Sequence, residues 1–202
     1  MSVWRGLRAA GKSILYKKGA VILRETVIAN RVSKVALGAI FVAMGVALPQ
    51  IFHYFGPELG RIFLPMHLPA FLAGFILGPF YGAAVGAVTP LLSFAVTGMP
   101  PFFPTLPSML VELAAYGLFS GIFYRKLRLP LAAAMAAAML SGRAAMLLCL
   151  FFMAFVLNAP VSPLESVASS FVAGMPGMAG QIAAVFCVWF ALGRGKIRRD
   201  AD

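Results

Sequence analysis

From about Val35 to Leu192 the chain is a succession of six long apolar runs, broken only by short stretches of glycine, proline and charge. A hydrocarbon core of about 30 Å is crossed by a helix of roughly 20 apolar residues, and most of these runs have that length. Backbone N–H and C=O groups in lipid must be satisfied within the segment, so the runs predict helices and not open strands. The predicted fold class is all-α: a polytopic membrane protein with six transmembrane helices in one bundle. With 61% hydrophobic and 11% charged residues, the chain is too apolar for a soluble enzyme or binding module.

The first run covers about 35–55 and stops at Gly56, Pro57, Glu58 and Arg61. A shorter one covers about 62–78, with Pro65 and Pro69 near its start and Gly78-Pro79 as its stop. The third spans about 82–96. Its successor, Thr97-Gly98-Met99-Pro100-Pro101-Phe102-Phe103-Pro104, carries three prolines that exclude regular helix and predict a stiff loop. The fourth run, about 105–124, closes at Arg125, Lys126 and Arg128; the fifth opens at Pro130 and reaches about 157. After the loop Asn158 to Pro163, the sixth covers about 167–192. The organisation is therefore a basic leader, 1–33, a six-helix membrane domain, 34–193, and a basic tail, 194–202.

A net charge of +11 would suit a nucleic-acid binder if the cations were spread over a soluble surface. They are not: of seventeen lysines and arginines, fifteen fall before the first run, between the fourth and fifth, or after the sixth. Those three regions share one side of a six-helix bundle, so the positive-inside rule places both termini and the 125–128 loop in the cytoplasm. The expected location is a cell membrane, multi-pass, with no nucleic-acid partner. Lipids are the expected partner of the leader, where Trp4, Leu7, Ile14, Leu15 and Tyr16 alternate with lysine and arginine as in an interfacial helix. A solvated leader is the other reading.

A charge inside a spanning segment marks a candidate functional site, because it costs several kcal/mol unless paired or wetted. Two residues qualify. Glu112 lies seven residues into the fourth helix and Arg143 thirteen into the oppositely directed fifth, which at about 1.5 Å per residue brings both to about 10 Å below the outer surface. His67 and Asn158 fall in the same half of the membrane. Either Glu112 and Arg143 form a structural ion pair, or one or both contact a polar solute. His67 has its own alternative, bonding backbone freed by Pro69. Gln181, in the sixth helix, either joins helices or touches a ligand.

Nothing in the chain supports catalysis. His53 and His67 lack HExxH spacing, Gly11-Lys12-Ser13 lacks the frame of a phosphate loop, and Cys149 and Cys187 have no CxxC spacing and are read as buried thiols. No catalytic residue, metal or cofactor is expected, and any ATP must be hydrolysed by partners. Ala39, Ala43 and Ala47 recur every four residues on the first helix, a flat stripe that suits close helix packing, either within the bundle or against another protein.

Taken in order, Ala39-xxx-Ala43-xxx-Ala47, Leu64-Pro65-Met66-His67-Leu68-Pro69, Gly78-Pro79-Phe80-Tyr81-Gly82, Thr97-Gly98-Met99-Pro100-Pro101 and Glu112-Leu113-Ala114-Ala115-Tyr116-Gly117 form a recognisable series. Over roughly residues 34–193 it resembles the substrate-binding S components of energy-coupling factor (ECF) transporters, bacterial vitamin uptake systems. The resemblance implies a subunit that captures a vitamin or related micronutrient from outside. It also implies partners: a transmembrane coupling subunit, for which Ala39, Ala43 and Ala47 become docking residues, and two ATPase subunits. Substrate-binding residues are then expected among Glu112, Arg143, His67, Asn158, Phe102 and Phe103; Phe102, Phe103 and Tyr54 either stack a ring from the outer loops or form an ordinary interfacial belt. Arg143 sets the ligand's charge: free, it favours an acid; spent on Glu112, it favours a neutral solute. The competing readings are a membrane scaffold with no solute and, less well supported, an intramembrane enzyme using Glu112 as acid or base.

Overall fold

A computed structural model of the protein describes residues 31–56, 62, 63 and 65–191. The leader up to residue 30 and the tail from 192 lie outside the described residues, as do the expectations placed on them. The chain divides into two compact units, 1–36 and 37–202. The described residues of the first unit form the opening turns of a helix; the bundle belongs to the second.

Among the described residues the elements are all helical: α1 (Arg31–Tyr54), α2 (His67–Leu77), α3 (Pro79–Thr97), α4 (Thr105–Gly121), α5 (Leu131–Phe155) and α6 (Pro163–Ala191). A five-residue π-helical turn, Ile122–Lys126, prolongs α4. The stops are those that backbone chemistry dictates. Gly78, at φ 100°, lets α2 turn directly into α3, whose first residue is Pro79. Gly98 closes α3 in the left-handed region, its N–H donating to the Phe94 carbonyl. Beyond it, the Met99–Pro100 and Phe103–Pro104 peptides are both cis. Asn158, at φ 49°, turns the chain after α5, a conformation that asparagine tolerates better than most residues.

Among the described residues five helices are long and apolar enough to cross a membrane; α2, with 11 residues, is not. At about 1.5 Å per residue it covers roughly half of a 30 Å core. The second apolar run is thus only partly a regular helix. Pro65 stands in a turn before it, and Pro69 sits in its first turn, where a missing N–H costs nothing. Nonhelical backbone at membrane depth is tolerated when protein surrounds it. Pro65 and Met66 are buried accordingly, as are nine of the eleven α2 residues.

Glycines bring α2, α3 and α4 together. A Cβ on Gly117 would fall on the Gly82 backbone, one on Gly86 would fall on Leu113, and one on Gly74 would meet Gly117 and Ser120. The two α3 matches make it antiparallel to α4; α2 runs parallel to α4, with Ala70 packed at Leu113 and Gly74 at Gly117. Close approach of this kind replaces the hydrophobic drive that lipid removes. Phe71, Phe75, Tyr116, Tyr124, Met135 and Val185 fill the space between α2, α4, α5 and α6. At the end away from Pro104, the Arg125 Nη1 donates to the Ile76 carbonyl at 2.8 Å, a cation on the last turn of α2. The Trp189 indole N–H donates to the Tyr124 hydroxyl at 2.8 Å. Large apolar side chains remain exposed on α1, α3, α5 and α6, among them Ile40, Val96, Leu148 and Val172. An apolar exterior over a packed interior is what a lipid-embedded bundle requires.

Candidate functional site

Glu112 is 2% exposed and lies where α2, α4 and α5 meet. It gathers three side chains. The Arg143 Nη1 from α5 reaches Glu112 Oε1 at 3.0 Å. The Tyr116 hydroxyl, one turn further along α4, donates to the same oxygen at 2.7 Å. From the first residue of α2, His67 Nε2 stands 3.8 Å from Glu112 Oε2. The matching depth inferred by counting residues from opposite ends of two helices is therefore a contact.

Local packing fixes each group. Gly142 leaves room for the Tyr116 ring, on which a Cβ at that position would fall. Tyr116 also lies against Phe71, ring centroids 4.6 Å apart, and His67, 5.4 Å. Ring, imidazole and carboxylate thus form one buried row. Arg143 is 8% exposed, and its Nη1 also lies 3.7 Å from the Met146 sulfur, three residues on. Its Nε and Nη2 are buried and have no hydrogen-bond partner among the described residues. Each buried donor left in that condition costs about 1–3 kcal/mol, and more when charged. Ser93 Oγ on α3 is likewise buried without a partner among the described residues.

Of the residues expected to bind substrate, the structure brings Glu112, Arg143 and His67 together. Asn158 is exposed in the turn after α5. Phe102, 66% exposed, lies against Phe94 at 5.7 Å, and Phe103 is exposed beside it in the proline-rich loop. Tyr54 is exposed at the end of α1. Gln181 is buried. Ala39, Ala43 and Ala47 are exposed on α1, whereas Gly38, Gly45 and Pro49 are buried, so the stripe faces away from the bundle. Cys187 corrects the reading of buried thiols: it is exposed, on a lipid-suited face of α6, and Cys149 is only partly buried. An all-apolar helix gives little periodicity from which to read its buried face.

Tyr116 is the member that sequence reasoning missed. Its signal was the i, i+4 spacing from Glu112, which stacks two side chains on one helix face. Among the described residues no three side chains of the types that hold metal ions come together. The chemistry available is hydrogen bonding and charge.

A family model described as the ECF transporter substrate-specific component matches residues 33–193. The chain belongs to this family. It is accordingly a membrane protein and the substrate-specific subunit of an ECF transporter, a transport subunit and not an enzyme, which works with an energising module on a small-molecule substrate. Comparison with curated proteins and with solved structures gives no match.

Proposed function

We propose that this S component captures a vitamin-like micronutrient from outside the cytoplasmic membrane. A coupling subunit and two ATPase subunits then drive its release inward. The observation that carries this reading is the buried cluster of Glu112, Arg143, His67 and Tyr116, drawn from three helices into the interior of an apolar bundle. Intramembrane ionisable groups are costly and concentrate on solute pathways. The cluster lies toward the end of the bundle bearing the 97–104 loop and Asn158, opposite the Arg125 end. With the cationic 125–128 loop inside, that end faces outward and both termini are cytoplasmic. Phe102, Phe103 and Asn158 then stand at the entrance, where loop side chains close over a solute.

Docking is assigned to the other side of α1. Ala39, Ala43 and Ala47 offer a small-residue stripe turned away from the bundle, suited to a helix of the coupling subunit. The test is co-purification of an Ala39→Leu, Ala43→Leu, Ala47→Leu variant with its module. The variant is expected to fold and bind solute as the parent does while losing the coupling subunit. Retention of that subunit would place docking elsewhere.

A further inference from the structure

Glu112 occupies Nη1 of Arg143, and what remains is one edge of the guanidinium, Nε–H beside Nη2–H, buried and without a partner among the described residues. We propose that this edge reads a neutral, planar solute through two neighbouring acceptors, a carbonyl oxygen beside a ring nitrogen. The proposal rests on the reading of the cluster as the solute site.

Geometry and charge both narrow the choice. Guanidinium donors lie in one plane as a rigid fork, so the unpartnered edge selects two acceptors side by side in that plane. A carboxylate and a heterocycle edge both satisfy this, and charge separates them. Glu112 already balances Arg143, and His67 Nε2 faces the second oxygen of the same carboxylate. With an uncharged imidazole at His67, a second carboxylate on the far edge of one guanidinium would bury an uncompensated negative charge, which low-dielectric surroundings oppose strongly. A neutral edge such as O6 and N7 of guanine fills both donors and adds no charge. The ion pair thereby acquires a role that stability alone does not require: it holds the fork still and cancels its charge, so that recognition depends on hydrogen-bond pattern.

The test uses the full chain in lipid nanodiscs and equilibrium binding of three neutral probes: guanine, pterin and lumazine. Each carries a carbonyl oxygen beside a ring nitrogen. Nicotinate and benzoate serve as carboxylates of similar size, and 7-deazaguanine and 5-deazapterin replace one acceptor with C–H. The inference expects at least one neutral probe to bind and its deaza analogue to bind about tenfold more weakly or worse. It also expects Arg143→Lys, which keeps the charge opposite Glu112 but not the fork, to lose that probe to a similar extent while nicotinate and benzoate stay unbound. The deaza comparison is made on the unaltered protein and so stands even where the variant does not fold. Failure of all three neutral probes, equal binding of parent and deaza compound, or preference for a carboxylate overturns the inference. In that event a chain that still carries some other solute leaves the capture reading intact. A folded chain with neither solute nor coupling subunit removes both.

Discussion

The α2–α3–α4 core and helix α6 are built on opposite terms. In the core, Gly74, Gly82, Gly86 and Gly117 bring backbones into contact, and no side chain larger than hydrogen fits at these positions without displacing a helix. In α6, 29 residues long, only Gly174, Gly177, Gln181 and Val185 are buried; a Cβ on Gly177 would fall on the backbone of Ile62 and Phe63, but one on Gly180 would meet nothing within 4 Å. The rigid part carries Glu112, Tyr116 and His67; the lightly held part carries none of the cluster. Glu112, Tyr116 and His67 are thus placed on the elements least able to drift, and the ion pair to Glu112 ties Arg143 of α5 to them. In a protein that must admit a solute, rearrangement falls to the helices with the least to lose.

Removing the charge balance of the core is the strongest way to break this contrast. Glu112→Leu leaves Arg143 buried without its counter-charge and is expected to cost about 3–5 kcal/mol, whereas the double change Glu112→Leu, Arg143→Met recovers most of that loss. Denaturant unfolding in a fixed detergent measures both; a single variant as stable as the parent would mean that water reaches the pair. Next in size is Gly117→Ala, which drives a methyl into the Gly82 backbone and is expected to cost about 1–3 kcal/mol or more. Trp189→Phe removes the bond to the Tyr124 hydroxyl, worth about 0.6 kcal/mol within a membrane bundle, and is expected to lower the unfolding midpoint slightly. Gly180→Ala is expected to leave stability unchanged or raise it by up to about 1 kcal/mol, alanine being the better helix former where nothing opposes its methyl. A large loss there would show that α6 is gripped as firmly as α4.

The helices were legible because apolar length and proline or glycine stops leave few alternatives in lipid. The fifth run, read as 130–157, is the helix Leu131–Phe155. The second was legible as a segment but not as a half-length helix, since its depth depends on the protein that surrounds Pro65 and Met66. Glu112 and Arg143 could be brought level by counting because each helix begins near a membrane face. Which oxygen meets which nitrogen, and that Tyr116 shares Glu112, depends on helix rotation and on the space beside Gly142. The exposure of Cys187 was hidden for the same reason: residues on the lipid and core faces of α6 are equally apolar. Phe102, Phe103 and Asn158 belong to loops, where residue type alone does not set the distance to a site.

An S component of the kind proposed captures its solute alone and needs partners only to release it. Native mass spectrometry of the tagged full-length protein, extracted gently from membranes that also contain an energising module, tests this at its root. The expected result is a small molecule on the isolated chain, and coupling and ATPase subunits on a second population. A folded chain that emerges bare, with no solute after incubation with vitamins and no module attached, would contradict capture and favour a scaffold.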